Sequence, residues 1–238
     1  MAQIDEVVTE VATTPSTTLA PNVAPTSPKD EPSESPIKTS QSITIEIPPS
    51  SVADDDAFVA ALVEVINAAY TETETGIFKP GYLRTSAKEV SALIRSGVLA
   101  VASRPISSDR HIPLGCISIR KLDENRTELG LFAVAVEVRG TALGRDLLSF
   151  AEQKCLSELG SPGVAVVRLD ILFPTHFKHL FKMRLQKWYT GLGYQMVGRR
   201  DFSPGDPETA QLLTGPTEFR ILEKKLVWKT NTKVLDLK

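Results

Sequence analysis

The stretch Arg139-Gly140-Thr141-Ala142-Leu143-Gly144-Arg145 decides how this chain of 238 residues folds. It lies between an apolar run of strand length that ends at Val136 and a helical pattern with apolar residues on one face. Its small residues allow backbone amides and the start of the following helix to face an anion. Glycine-containing connections of this kind also occur as plain structural turns, so position alone leaves phosphate binding and a simple turn both open.

The glycine spacing excludes two common nucleotide-binding motifs. The chain has no G-x-G-x-x-G at this turn, and no acidic residue ends a following strand where a ribose would be bound. The lysine of a P-loop is absent as well. A dinucleotide site and a P-loop are therefore not predicted.

The segment resembles the Q/R-x-x-G-x-G/A motif of the GNAT superfamily of N-acetyltransferases, with Arg139, Ala142 and Gly144 on the signature positions. Two further blocks resemble the same superfamily: Phe132-Ala133-Val134 is similar to its L-x-V segment, and Trp188-Tyr-Thr-Gly-Leu-Gly-Tyr194 to its F-Y-x-x-x-G-F block. The likeness covers most of residues 42 to 226. It implies the GNAT acyl-CoA N-acyltransferase fold, an α/β (α+β) architecture with a central mixed sheet of about 6–7 strands flanked by about four helices.

The resemblance implies acetyl-CoA as cosubstrate. Phe132, Ala133 and Val134 would hold the pantetheine arm through backbone bonds, and Gly140 to Arg145, preceded by Arg139, would wrap the pyrophosphate. Ala142 replaces the commoner glycine, which is acceptable wherever φ stays negative. Val136 stands where relatives often have proline.

Two residues are assigned catalytic roles by the resemblance. Tyr189 aligns with the tyrosine that protonates the leaving thiolate, although as one of several aromatic residues it could also simply pack. Glu128, six residues before Val134, is the candidate general base, with a solvated carboxylate at the strand end as the alternative. The Val134 N–H, near an expected bulge, is the candidate donor to the developing oxyanion.

The acceptor is expected to meet the loop between the first two helices, Thr71 to Arg84. This loop carries Glu74 and Tyr82 as candidate substrate-binding residues, because carboxylates with aromatic rings suit a cationic amine. A charged loop can also be simply solvated. His176 and His179 have no further ligand nearby in sequence, so no metal site is predicted and their helix is expected to present a solvated basic face.

Hydrophobic periodicity and turn residues predict the order of strands and helices. The predicted strands are 43–47, 98–102, 114–120, 128–136, 164–172, 194–202 and 218–226. The predicted helices are 55–70, 86–97, one that follows residues 139–145, here called the cradle, and 179–192. Ser86 and Glu89 have capping-box spacing. Cys116 and Cys155 are expected to be buried and inert.

Composition separates a tail from one domain. Residues 1–41 lack glycine, cysteine and aromatic residues and are rich in Ser, Thr and Pro, which is typical of disorder. Residues 42–230 are predicted to form the acetyltransferase domain and residues 231–238 a C-terminal tail. Ser-Pro and Thr-Pro steps in the N-terminal tail could be phosphorylation sites or filler.

The net charge of −2 and the absence of a long apolar run argue against nucleic acid and membrane as partners. We expect a cytoplasmic protein, with the nucleus also possible, working as a monomer or homodimer on a small-molecule amine by direct attack. A protein lysine or N-terminal acetyltransferase and a catalytically silent acyl-CoA-binding module are the alternatives.

Overall fold

The computed structural model describes residues 42–107, 110–159, 164–202 and 207–227. The predicted tails at 1–41 and 231–238 lie outside these ranges. The order of strands and helices predicted from the sequence is confirmed within them, with shifts at several element ends.

Seven strands form one mixed sheet. They are β1 (Thr44–Glu46), β2 (Leu99–Ser107), β3 (Arg110–Lys121), β4 (Arg126–Val134), β5 (Val164–Pro174), β6 (Gln195–Asp201) and β7 (Thr217–Val227). Their order across the sheet is β1-β2-β3-β4-β5-β7-β6. β4 and β5 are parallel, and the other pairings are antiparallel.

Helices cover both faces of this sheet. They are α1 (Asp56–Thr73), α2 (Ala87–Arg95), α3 (Leu143–Leu159), α4 (Leu180–Gly191) and a single turn, α5 (Pro207–Ala210). α3 connects β4 to β5, as a parallel pair requires a crossover. One face of the sheet packs on α3, through Leu147 and Ala151, and the other packs on α1 and α2, through Leu62 and Ile94.

Local capping explains where the first two helices begin. The Asp55 carboxylate accepts hydrogen bonds from the amides of Ala57 and Phe58, at 3.1 and 3.0 Å, which starts α1. Ser86 and Glu89 form the predicted capping box at the start of α2. α1 extends about one turn past its predicted end at Tyr70, because Thr71 to Thr73 continue the helix.

The predicted strand 128–136 ends two residues early. β4 stops at Val134, and Val136–Val138 form a turn of 3-10 helix, with Val136 67% exposed. Val136 is apolar like the residues before it, so the sequence did not indicate that the strand ends at Val134. The short turn redirects the chain from the sheet into the cradle before α3.

Candidate active site

The site begins where β4 separates from β5. The two strands pair only from Arg126 to Leu129, and β4 then diverges from its neighbour. At the divergence Leu131 adopts a left-handed conformation with φ of 43°, the single non-glycine residue with positive φ in the described structure. The register with β3 also shifts here, so β4 contains the bulge that was predicted. A strained residue at this position holds the gap open, at a cost of about 1–3 kcal/mol.

Backbone groups of β4 line this gap. The amide of Ala135 donates to the carbonyl of Leu114 on β3, at 2.8 Å. Because amides alternate between the two edges of a strand, the Val134 amide is directed to the opposite edge, toward the gap. The Val134 carbonyl accepts from Nε of Arg139 at 3.2 Å, which ties the end of the strand to the cradle.

The cradle is a tight connection into α3. Gly140 has φ of +77°, a conformation that favours glycine. The Thr141 hydroxyl donates to the Val138 carbonyl at 2.7 Å and accepts from the Leu143 amide at 3.2 Å. Within the described part of the chain the amides of Ala142 and Gly144 have no hydrogen-bond partner. These amides at a helix start are therefore available to an anion.

A cleft of about 500 Å³, here called the cradle cleft, lies against this turn. Its walls include Phe132 and Trp188, whose stacked rings have centroids 6.2 Å apart. A Cβ on Gly144 would lie 3.6 Å from Phe132 and 3.8 Å from Val134, so a side chain there would project into the cleft. Arg139 and Arg145 also line it, and the lining therefore suits a phosphorylated ligand with an extended arm.

The central cavity, of about 240 Å³, occupies the gap itself. It shares Phe132, Val134 and Arg139 with the cradle cleft, so the two adjoin at these residues. Tyr189 of α4 lines it and is 5% exposed. Burial, and next the neighbouring Tyr70, raises the pKa of the Tyr189 phenol well above its usual value. Among the described residues the hydroxyl has no hydrogen-bond partner, which leaves its proton free for a ligand.

A buried ion pair forms part of the cavity wall. Nζ of Lys182 donates to Oε1 of Glu74 at 3.1 Å, and both side chains are about nine-tenths or more buried. The other carboxylate oxygen, Oε2, has no partner in the described structure. Glu74 is thus not a solvated loop residue but the cap at the end of α1.

The prediction that α4 presents a solvated basic face is wrong for Lys182. This lysine is 4% exposed because Glu74 neutralises it, and burial lowers the pKa of its ammonium group. His179 caps α4, and its Nδ1 accepts from the Lys182 amide at 3.4 Å. Glu74 and Lys182 are 108 residues apart, so no local pattern could have indicated the pair.

A second cavity of about 240 Å³, here called the outer cavity, adjoins the central one. The two share Tyr70, Glu74 and Arg84. Tyr82 lines the outer cavity, and its ring stacks on Phe78 with centroids 3.9 Å apart. The structure therefore brings both predicted substrate-binding residues, Glu74 and Tyr82, to one place.

Glu128 is not brought to any of these three cavities. It lies on the paired part of β4, opposite Arg168 of β5, and its carboxylate forms an ion pair with Arg120 of β3. Sequence spacing placed this glutamate correctly along the strand. It could not show that the gap opens only beyond Leu129.

Cys116 and Cys155 are buried free thiols, as predicted, and burial raises the pKa of Cys116 to about 12 and of Cys155 to about 11. In the described ranges no group of three or more His, Cys, Asp or Glu residues could hold a metal ion. Nor is any described helix long and apolar enough to span a membrane.

Comparison with known proteins decides the family. The profile of the acetyltransferase (GNAT) family matches residues 72–193, which is more than half of the chain. The chain belongs to this family. No curated protein is similar enough in sequence to match it. The matched range begins near the end of α1 and ends just after α4, so it includes β4, the cradle and Tyr189.

Solved structures of distant proteins share the GNAT fold. PaiA N-acetyltransferase from Thermoplasma acidophilum, in complex with coenzyme A, is 19% identical, with a TM-score of 0.51 over 78% of this chain and 99% of that one. yncA from Salmonella typhimurium, with its cofactor acetyl-CoA, is 14% identical, with a TM-score of 0.51 over 81% and 99%. The NatC complex bound to Gag peptide and CoA gives 18% identity and a TM-score of 0.50 over 78% and 99%. At these identities the likeness concerns the fold.

Proposed function

We propose that this GNAT protein transfers the acetyl group of acetyl-CoA to a primary amine of a small molecule by direct attack. The observation that supports this most is that the cradle cleft adjoins the central cavity at the gap between β4 and β5, with Phe132, Val134 and Arg139 in the walls of both. A ligand anchored by phosphate at the cradle could extend its arm along β4 and present its thioester beside Tyr189.

The cradle residues fit the pyrophosphate. Free amides of Ala142 and Gly144 point from a helix start, and Arg139 and Arg145 supply positive charge. The backbone of β4 offers hydrogen bonds to the pantetheine arm, as a further strand would. The acetyl thioester of acetyl-CoA would then lie at the inner end of this arm, in the central cavity.

The transfer requires an oxyanion donor, an acid and a proton acceptor. The Val134 amide faces the gap and would stabilise the carbonyl oxygen as the amine nitrogen attacks the thioester carbon. As the carbon–sulfur bond breaks, Tyr189 would donate its proton to the departing sulfur. Oε2 of Glu74, buried and unpartnered, would accept a hydrogen bond and then the proton from the amine.

The dimensions of the acceptor side favour a small molecule. The outer cavity is a pocket of about 240 Å³ walled by α1 and the residues 76–84 that follow it. Pockets for compact ligands have about this size or somewhat more. A protein acceptor would need a groove that continues past these walls.

The test is a binding and transfer measurement on the purified protein. Acetyl-CoA should raise the melting temperature, whereas NADH and ATP should raise it far less, because only acetyl-CoA matches the cleft and the gap together. An amine library is then scanned for release of free thiol. Equal stabilisation by NADH, or transfer to peptides in preference to every small amine, would contradict the proposal.

A further inference from the structure

The charge of the acceptor site is not balanced. Five charged side chains line the central cavity, and four of them have an opposite charge within 4 Å. Arg84 forms no ion pair with a carboxylate within 4 Å in the described part of the chain, although Glu74 is near enough to help raise the pKa of its guanidinium. The Glu74–Lys182 ion pair has a total charge of zero, so Arg84 leaves the wall positive.

Arg84 is held in place by the ring of Tyr70 and by the backbone around it. Its guanidinium lies 4.8 Å from the centroid of the Tyr70 ring. The adjacent Thr85 is fixed to α1 by two hydrogen bonds of 3.0 Å with the Asn67 side chain. A guanidinium stays charged in proteins and is half-buried here, so it is a preformed donor at the boundary of the two cavities.

The outer cavity carries a second cation. Lys79 lines it, and its Nζ donates to the carbonyl of Gln211 at 2.7 Å, a neutral partner. Glu74, the one carboxylate that lines the outer cavity, is already neutralised by Lys182. Arg84 and Lys79 thus face the same small cavity without a compensating anion in the described structure.

We infer that the acceptor is a primary amine that also carries a carboxylate, with the carboxylate bound in the outer cavity by Arg84 and Lys79. The amine would lie in the central cavity, where the unpartnered oxygen of Glu74 receives it. A guanidinium offers two parallel donors to a carboxylate, which favours that group over an uncharged polar one. This inference rests on the proposed acetyl transfer and names its substrate class.

The experiment compares matched acceptors with the full-length protein. Amino acids with different spacing between amine and carboxylate are tested beside their amides and the corresponding decarboxylated amines, at saturating acetyl-CoA. For the best acceptor, the carboxylate form should have a KM about tenfold or more below that of its amide, as expected for charge-assisted hydrogen bonds. kcat should differ much less, because the carboxylate is remote from the bond that breaks.

Arg84→Gln should raise KM for the carboxylate acceptor about tenfold or more and leave KM for the amide nearly unchanged, which removes the preference. Lys79→Gln, at an exposed position, should reduce the preference for the carboxylate acceptor over its amide and leave the fold intact. Arg95→Gln is the matched control, since Arg95 pairs with Asp54 and lies outside all three cavities. The stabilisation by acetyl-CoA should persist in all three variants, which separates lost recognition from lost folding.

The inference would be overturned by equal KM values for acid and amide in the unmodified protein, or by a preference that survives in both Arg84→Gln and Lys79→Gln. Preferred transfer to amines without any carboxylate, including peptide N-termini, would overturn it as well. Failure of transfer to every amine, acidic or not, would instead contradict the acetyltransferase proposal itself.

Discussion

At the scale of single residues, the proposed chemistry depends on two buried groups whose hydrogen-bonding capacity is incomplete. Oε2 of Glu74 is buried without a partner in the described structure, although polar atoms in a folded interior normally find one. The Tyr189 hydroxyl forms no hydrogen bond with a described residue, and Tyr189 lines the central cavity. The sequence motif predicted Tyr189, because the F-Y-x-x-x-G-F block includes it. The sequence indicated Glu74 only as one of the charged residues in a loop. Its burial could not be predicted, because it depends on Lys182 of α4.

Tyr189→Phe should lower kcat about 100-fold while acetyl-CoA affinity changes little, because the ring and its packing remain and only the proton donor is lost. Tyr194→Phe is the control: that hydroxyl donates to Glu152 at 2.9 Å and does not line the cavity. The Tyr194→Phe variant should have a lower free energy of unfolding and an unchanged kcat. Wild-type kcat for Tyr189→Phe would show that the phenol only packs.

The raised pKa of Tyr189 has a consequence for the pH profile. A general acid works only while protonated, and a pKa above the usual value keeps this phenol protonated past pH 10. We therefore expect kcat of the unmodified protein to hold or rise toward pH 10, as more of the amine becomes deprotonated. A decline between pH 8 and pH 9 in steady-state rates would exclude an acid with this pKa.

The position of the proton acceptor can be tested by comparing Glu74 with Glu128. Glu128→Gln should keep most activity, because that carboxylate is paired with Arg120 outside the cavities. Glu74→Gln alone should destabilise the fold by about 3–5 kcal/mol by leaving Lys182 buried without a counter-charge. The double variant Glu74→Gln with Lys182→Met should recover stability but remain slow at neutral pH and improve at alkaline pH. The opposite pattern would assign the base to Glu128.

At the scale of elements, β4 and α3 together define where the coenzyme can lie. Periodicity predicted both elements, and the small residues between them predicted the cradle. The end of β4 was misplaced because Val134, Ala135 and Val136 are all apolar, and only the three-dimensional turn distinguishes them. α1 was predicted a turn too short, since Thr71 to Thr73 are polar and gave no periodic signal.

Gly144→Glu should abolish the thermal stabilisation by acetyl-CoA, because the side chain would enter the cradle cleft and its charge would repel a pyrophosphate. Gly144→Ala is the matched control, as a Cβ there meets Phe132 and Val134 only at ordinary contact distance. It should retain most of the stabilisation. Differential scanning fluorimetry of both variants with increasing acetyl-CoA checks this, and an unchanged shift in Gly144→Glu would refute the cradle assignment.

At the scale of the whole molecule, the acetyltransferase unit is expected to be self-sufficient. Residues 1–41 have a composition that supports no apolar core, and β1 begins after them. Deletion of residues 1–41 should leave both the melting temperature and the shift caused by acetyl-CoA nearly unchanged. A loss of several degrees, or of soluble expression, would mean that this segment contributes to the stability of the fold.

The sheet is joined at its centre by the short parallel contact between β4 and β5, from Arg126 to Leu129, and beyond it the Val134 amide has no strand to pair with. In deuterated buffer this amide should exchange quickly in the free enzyme. The amide of Ala133, which alternation directs toward β3, should exchange slowly throughout. Acetyl-CoA, once bound in the gap, should slow Val134 and leave Ala133 as it was, so neighbouring residues of one strand would form a built-in pair of probe and reference.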